Sequence, residues 1–372
     1  MGVASKGSWS IAVFLLASNS MPNWYDCPMT NLSTSSPDKF HRSAPKKVKE
    51  DSGDRSTLQA ASRVSFNVID ENALGQRVDN YLQRVMKGVP KSRIYRALRK
   101  GEVRVNKKRV KPEFKLSIGD SVRIPPIRFE ESSAPSAPGS KFVELLESRI
   151  LYEDDSLLIV NKPTGVAVHG GSGVHLGLIE ALRSMRPQCG FLELVHRIDK
   201  DTSGCLMVAK KRAVLLDLHR QLREGGMQKR YTALLDGRWS GREHLIEAPL
   251  KKNVLASGER HVRVAVDGKA SKTLFHVEKR YKEATLVSAK PVTGRTHQIR
   301  VHAQFVGHAI LGDQRYGLAE KNQRVKKAGL KRLFLHAHSL AFTLLGSENI
   351  FRIEAPLDAD LQQVLLSLEK VQ

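Results

Sequence analysis

The sequence predicts an α+β protein in which a small basic domain precedes a larger domain on a mostly antiparallel mixed sheet with flanking helices. Three observations support this fold class. Helix periodicity followed by short strands runs through a strongly basic segment, and apolar runs suited to strands dominate the second half of the chain. Several of these runs follow one another directly between residues 229 and 290, without the helix that a parallel βαβ unit requires.

Composition divides the chain into four segments. Residues 1–62 mix Ser, Pro, Asn and charges without period, which predicts a disordered N-terminal extension. Internal methionines also allow a shorter start, and the apolar run at 11–17 is a weak match to a signal-peptide core. Residues 63–128 form the predicted small domain, residues 129–141 a Pro- and Ser-rich linker, and residues 142–372 the larger domain.

The charge balance predicts a polyanionic partner. The chain has 61 Lys and Arg against 38 Asp and Glu, a net charge of +23. Such an excess favours nucleic acid over the alternative of a merely basic surface. Three cysteines without a CxxC pair indicate a reduced, cytoplasmic protein. No apolar run approaches the roughly 20 residues that span a bilayer, so we expect no membrane partner.

The small domain carries much of this charge on two predicted helices and a hairpin. Apolar spacing predicts one helix over 76–86 and a second from a cap at Ser92 to Gly101. Residues 102–110 (EVRVNKKRV) then predict a hairpin with a basic turn.

The cations of the small domain form a predicted RNA-binding surface. Arg93, Arg96 and Lys100 share one exposed face of the second helix, which contains no acid, and Lys107 and Lys108 lie at the hairpin turn. The pattern RxDxxL…SR…GxVxVN…K resembles the S4 RNA-binding domain over some fifty residues.

The larger domain alternates predicted strands and helices, with strands in the majority. Strands are expected at 157–160, 205–209, 231–235 and 285–289, and helices at 175–186, 211–224, 296–306 and 359–370.

Three loops of the larger domain concentrate polar and small residues: NKPTG (161–165), HRIDKDTSG (196–204) and PVTGRTHQIRVH (291–302). On spacing alone, Asp199 is either a reactive carboxylate or an acid that caps the backbone amides of its turn. Arg295 and Arg300 flank a helix start with a predicted cap at Thr296, an arrangement that favours phosphate or carboxylate.

A metal or cofactor site is not predicted. His297 and His302 are five residues apart, which differs from the i, i+4 pair of zinc proteases, and the loops do not cluster carboxylates. The glycine-rich GGSG at 170–173 lacks the Lys-Ser/Thr of a phosphate-binding loop.

The three loop motifs, together with MQKRYTALLDG (227–237) and RLFLHA (332–337), resemble in sequence and order the pseudouridine synthases of the ribosomal large subunit type. One departure is Ile198, where the family has Leu, a volume-conserving change. The resemblance implies isomerisation of specific uridines to pseudouridine in large-subunit (23S) ribosomal RNA, by base flipping and without a cofactor. We expect a monomer.

The resemblance also implies residue roles. The catalytic residues are Asp199, Tyr231 and Arg300, and the substrate-binding residues are Arg197, Arg295 and Leu335. Whether Asp199 attacks C1′ or removes a proton from C2′ stays open. So do three other functions: a synthase acting on transfer RNA, an RNA-binding assembly factor without activity, and a metal-dependent nuclease.

Overall fold

The computed structural model describes residues 64–86, 88–126, 138–170, 176–254, 260–327 and 329–369. The predicted N-terminal extension, 1–62, and most of the predicted linker, 129–141, lie outside the described residues. In chain order, the small domain consists of β1 (Ser65–Val68), α1 (Val78–Val85), α2 (Lys91–Lys100), β2 (Arg104–Val105) and β3 (Ser121–Ile124).

The small domain packs two helices on one face of a three-stranded antiparallel sheet of order β1-β3-β2. Ile94, Ala97 and Leu98 are buried as the stripe of α2 predicts. The prediction of a cap at Ser92 is wrong: α2 begins at Lys91, and Pro90 holds the N-cap position. Proline is tolerated at a helix start because its fixed φ is compatible with the helix. The N–H that it lacks would have no hydrogen-bond partner within the helix at that end.

Of the predicted hairpin, the structure shows the turn closed by one bridge, Val105 to Lys108, while β2 pairs with β3. Asn106 and Lys107 have φ values of 48° and 64°, and Val105 and Lys108 exchange backbone hydrogen bonds of 3.0 and 2.9 Å. Positive φ at both central residues matches the twist of the strands that the turn joins. Gly101 ends α2 with a φ of 69°, as predicted.

The larger domain carries most of the secondary structure. Its helices are α3 (Ser140–Glu147), α4 (Leu178–Met185), α5 (Arg212–Glu224), α6 (Gln298–Phe305), α7 (Ala319–Lys327) and α8 (Ala359–Glu369). Its strands are β4 (Ile150–Glu153), β5 (Leu157–Lys162), β6 (Glu193–Leu194), β7 (Ser203–Ala209), β8 (Gln228–Asp236), β9 (Glu243–Glu247), β10 (Leu250–Val254), β11 (Arg260–Val264), β12 (Lys272–Arg280), β13 (Ala284–Pro291), β14 (Leu335–Thr343) and β15 (Ile350–Glu354).

A ten-stranded sheet of order β4-β5-β7-β14-β8-β13-β12-β9 forms the centre of this domain, with β6 paired to β7 and β15 to β14. Within the described ranges, β7 and β14 are the one parallel pair, so the sheet is mostly antiparallel as predicted. Because parallel strands start at the same edge, the loop before β7 meets the beginning of β14 there.

Helices cover both faces of the sheet at β5 and β7. Leu158 and Val160 pack in the same core cluster as α4, whereas Leu157 and Ile159 pack with α5 on the other side. Successive side chains of a strand point to opposite faces, so burial on both faces requires the continuous apolar run LLIV.

The predicted strands and helices of the larger domain are observed, with shifted ends. The prediction of a cap at Thr296 is wrong, because α6 begins at Gln298 after a left-handed His297. Helix α3 begins at Ser140, inside the predicted linker. No helix among the described residues is long and apolar enough to cross a membrane.

We expect Gly204→Ala to destabilise the fold strongly. Gly204 has a φ of +107°, and a Cβ there would lie 2.3 Å from the backbone oxygen of Ala337 on β14. Thermal unfolding of this variant is compared with Gly190→Ala, because a Cβ at Gly190 meets no atom within 4 Å. Equal unfolding temperatures for the two variants would show that the close approach of β7 and β14 does not require glycine.

Candidate active site

One cavity of about 120 Å³ brings together all six residues predicted for the site. It is lined by Asp199, Tyr231, Arg300, Arg197, Arg295 and Leu335, together with Lys229 and His297. These side chains come from the loop before β7, from β8, from the loop between β13 and α6 with the start of α6, and from the start of β14.

A buried lysine holds the loop that carries Asp199. Lys162, at the end of β5, donates from Nζ to the carbonyl oxygens of Pro163 (2.9 Å), Val166 (2.8 Å) and Lys200 (2.9 Å). Burial lowers the pKa of Lys162 to about 7. The NKPTG motif thereby ties its own turn to the neighbour of Asp199.

The side chain of Asp199 faces the cavity. Its Oδ2 lies 3.3 Å from Nη1 of Arg300 and 3.8 Å from Nε2 of His297. The turn is closed by the backbone carbonyl of Asp199, which accepts from the N–H of Thr202 at 3.2 Å. The alternative in which the Asp199 carboxylate caps its own turn is therefore not what the described contacts show.

Arg300 bridges Asp199 to a second acid, Asp313. Arg300 donates to Asp313 from Nε at 2.7 Å and from Nη2 at 2.8 Å. Asp313 also accepts from the backbone N–H groups of Arg315 (2.9 Å) and Tyr316 (3.0 Å). Burial opposes the charge on both partners, but their mutual hydrogen bonds raise the pKa of Arg300 and lower the pKa of Asp313.

Tyr231 and Leu335 give the cavity an apolar wall. Both are buried, with relative exposures of 9% and 3%. Burial raises the pKa of Tyr231, so its hydroxyl stays protonated at neutral pH. Among the described residues that hydroxyl has no hydrogen-bond partner, which leaves it available to a ligand in the cavity.

Cations surround the cavity. Arg197 and Arg295 are exposed to solvent, and Arg295 is steadied by the carbonyl oxygen of Ala270 at 3.2 Å. Lys229 lines the cavity from β8, and burial lowers its pKa. This distribution favours an anionic ligand that reaches the cavity from the surface.

Four cavity or supporting residues were not predicted as site residues: Asp313, Tyr316, Lys229 and His297. Asp313 and Tyr316 lie in GDQRYG (312–317), a segment that is part of none of the predicted motifs. Lys229 and His297 lie inside the quoted motifs, and each stands within three residues of a predicted catalytic residue.

The spacing of His297 and His302 predicts that the two residues do not form a zinc-protease pair, and it predicts no other role for His297. The structure separates the two, because His302 is buried against Thr273, at 2.9 Å, and Ser271, at 3.1 Å. In the part of the chain that the structure describes, no group of three or more His, Cys, Asp or Glu side chains is placed to hold a metal ion.

The predicted RNA-binding cations of the small domain fall into two sets. Arg96, Lys100, Lys107 and Lys108 are exposed. Arg93 is half-buried and forms an ion pair of 2.9 Å with Glu102, so the face is less purely basic than predicted.

Comparison with known proteins identifies the class. Residues 156–305 match the family model of the RNA pseudouridylate synthases, and residues 76–122 match that of the S4 domain. The chain therefore belongs to the RNA pseudouridylate synthase family, as the motifs predicted. It is an RNA pseudouridine synthase, an enzyme that isomerises uridine, and it carries an S4 domain.

Curated relatives are similar over most of both chains. The ribosomal large subunit pseudouridine synthase C of Salmonella typhi is 57% identical over 305 residues, which cover 81% of this chain and 96% of the relative. The protein of the same name from Escherichia coli K12 is 56% identical over 308 residues, with coverage of 82% and 97%. The solved structure of human RNA pseudouridylate synthase domain containing 4 supports the fold, with a TM-score of 0.51, 24% identity and coverage of 62% and 96%.

We expect Asp313→Asn to destabilise the protein by about 3–5 kcal/mol, because it leaves the buried Arg300 without a carboxylate partner. Asp360→Asn is the control. It breaks the pair of Asp360 with Arg332, but the Asp360 side chain is 54% exposed, so the cost should be at most about 1 kcal/mol. Chemical denaturation at neutral pH measures both.

The pH dependence supplies a second check on Asp313. Because folding lowers its pKa, its contribution to stability is complete above the unfolded value of about 3.9 and is lost on acidification below it. The difference in the free energy of unfolding between wild type and Asp313→Asn should therefore become smaller below about pH 4. A difference that widened in acid would contradict the ion pair.

Proposed function

We propose that this enzyme converts specific uridines of large-subunit ribosomal RNA to pseudouridine, with Asp199 as the catalytic carboxylate. The observation that carries the proposal is the convergence of Asp199, Tyr231 and Arg300 on one cavity in a chain of this family. The choice of RNA rests on the names and high identity of the curated relatives.

The reaction rearranges one nucleoside. The bond from N1 of uracil to C1′ breaks, the base turns within the cavity, and C5 bonds to C1′. C5 then loses a proton while N1 gains one, so the product is an isomer of the substrate. Two roles are open to the Asp199 carboxylate: attack on C1′, or removal of the C2′ proton.

Either role needs an ionised Asp199. Nη1 of Arg300 lies 3.3 Å from Oδ2 of Asp199 and places a positive charge beside the carboxylate. Because Asp313 holds two other nitrogens of that guanidinium, Arg300 presents Nη1 to Asp199 in a single orientation.

The remaining cavity residues fit an everted base. Tyr231 and Leu335 offer surfaces for the uracil ring, and the neutral hydroxyl of Tyr231 can exchange hydrogen bonds with it. Removing a base from its stack costs a few kcal/mol. The exposed Arg197 can offset part of that cost by filling the vacancy, while Arg295 and Lys229 contact phosphates.

The S4 domain supplies affinity and register through phosphate contacts, and the second domain performs the chemistry. We propose boundaries at residues 63–128 and 142–372 for the two, with the second extended to Ser140 because α3 begins there, and we propose a monomeric state and a cytoplasmic location. Transfer RNA is the second candidate substrate, since the motifs of the site do not by themselves distinguish one RNA from another.

Asp199→Asn should bind RNA with unchanged affinity and form no pseudouridine, because its amide is a poor nucleophile and base. Chemical mapping of pseudouridines in ribosomal and transfer RNA compares a strain lacking the gene with strains carrying wild type or the variant. Sites that return only with wild type, and only in large-subunit RNA, support the proposal. If the variant restores the sites, Asp199 is not the catalytic carboxylate. If the restored sites lie in transfer RNA, the substrate is transfer RNA and not ribosomal RNA.

Removing two charges from the S4 domain should change binding and leave chemistry intact. For Lys107→Gln with Lys108→Gln, we expect weaker RNA binding and a salt dependence of log Kd that is shallower by about 1.5, at roughly 0.7–0.9 per phosphate contact. The single-turnover rate at saturating RNA should stay at the wild-type value.

Lys251→Gln with Lys272→Gln is the charge-matched control, because both lysines pair with acids elsewhere on the surface. An equal change in slope for the two double variants would show that net charge, and not the hairpin turn, determines binding.

A further inference from the structure

We propose that His297 is a positioning residue: Tyr316 holds it in one tautomer, so that its Nε2–H is directed at Oδ2 of Asp199 and Oδ1 is left free for the ribose. This inference rests on the proposed role of Asp199, and it adds a second donor beside Arg300.

The backbone of His297 has a left-handed conformation, and its side chain lies near Asp199. His297 has a φ of 53° and ψ of 19° at the N-cap of α6, a left-handed conformation that non-glycine residues rarely adopt. Such conformations persist where the surroundings impose them, and they cluster at functional sites. Here the imidazole is largely buried, with a side-chain exposure of 12%, and it lines the cavity.

The hydrogen bonds of Tyr316 determine which nitrogen of His297 carries the proton. The Tyr316 hydroxyl accepts from the backbone N–H of Val262 at 3.1 Å and lies 2.7 Å from Nδ1 of His297. If Nδ1 donated to it, the hydroxyl hydrogen would be buried without an acceptor, which costs about 1–3 kcal/mol. The hydroxyl therefore donates to Nδ1, and the proton of the neutral ring resides on Nε2.

Nε2 of His297 lies close to the Asp199 carboxylate. The distance from Nε2 to Oδ2 is 3.8 Å, so it is longer than a hydrogen bond by about 0.9 Å and closes with a small movement of either side chain. Catalytic hydrogen bonds are commonly long before the substrate binds.

Both donors approach the same carboxylate oxygen. Nη1 of Arg300 lies 3.3 Å from Oδ2, the atom that His297 also faces. Among the described residues no group donates to Oδ1. Two donors on one oxygen orient the carboxylate plane and direct the unoccupied oxygen to the sugar, whichever step Asp199 performs.

Burial lowers the pKa of His297 and so favours a neutral imidazole. Among the neighbouring charges, Asp199 and Asp313 raise that pKa, whereas Arg300 and Arg315 lower it. Tyr316 contacts both Arg300 and His297. Its ring centroid lies 5.0 Å from the guanidinium carbon of Arg300, and its hydroxyl lies 2.7 Å from Nδ1 of His297.

Replacing His297 by glycine separates positioning from folding. Glycine adopts positive φ without strain, so His297→Gly should fold, with an unfolding temperature lowered by the loss of the buried ring and of the acceptor for the Tyr316 hydroxyl. Its single-turnover rate at saturating RNA should fall about 10- to 100-fold, the effect expected for loss of one oriented donor, while its Kd for RNA stays within about twofold. His297→Asn tolerates the same backbone and keeps a shorter N–H donor, so it should recover part of the rate.

The tautomer is measured directly. Long-range ¹H–¹⁵N spectra of the full chain labelled at histidine should show His297 protonated at Nε2, with that preference lost in Tyr316→Phe. Tyr316→Phe should lower the single-turnover rate without changing Kd. Tyr152→Phe is the matched control, because Tyr152 lies on β4 and its hydroxyl donates to Asp154, the residue after that strand, so the rate should stay unchanged.

Three results would overturn the inference: a wild-type rate for His297→Gly, a proton on Nδ1, or a loss of RNA affinity as large as the loss of rate. A wild-type rate for His297→Gly together with an inactive Asp199→Asn would reject this inference and leave the proposed function intact.

Discussion

The site depends on one buried guanidinium that binds two carboxylates with different surroundings. Asp313 is fully buried and receives two charge-assisted hydrogen bonds from Arg300 as well as two from backbone N–H groups. Asp199 remains partly exposed and receives a single longer contact from the same arginine. A buried charge is tolerated only when it is paired and hydrogen-bonded. Asp313 meets that requirement for Arg300, and among the described residues Oδ1 of Asp199 has no donor.

The fold delivers these groups through a few backbone constraints. The parallel pairing of β7 and β14 places the Asp199 loop beside Leu335, and Gly204 permits the close approach of the two strands. Lys162 anchors the loop by three carbonyl oxygens. The NKPTG and HRIDKDTSG motifs therefore also have a structural role, since the position of a carboxylate depends on the loop that carries it.

Sequence patterns were sufficient for the fold class and for six side chains that line one cavity. Continuous apolar runs predicted strands buried on both faces, and the motifs named six residues that line one cavity. Sequence patterns were insufficient where a contact between distant parts of the chain determines the end of a helix or the role of a residue. The helix caps at Ser92 and Thr296 failed because Pro90 and a left-handed His297 occupy those positions. Asp313 and Tyr316 carry no local signal, since their partners lie thirteen and nineteen residues away in the chain.

We propose that a single aspartate, Asp199, oriented by Arg300, acts on an everted uridine in this cavity. A crystal structure of Asp199→Asn bound to an RNA stem that contains the target uridine tests it most directly. We expect the uridine to lie out of its stack, with its ring between Tyr231 and Leu335 and with the side chain of residue 199 within about 3.5 Å of C1′ or C2′. A uridine still stacked in its helix, or a sugar held away from residue 199, would contradict it.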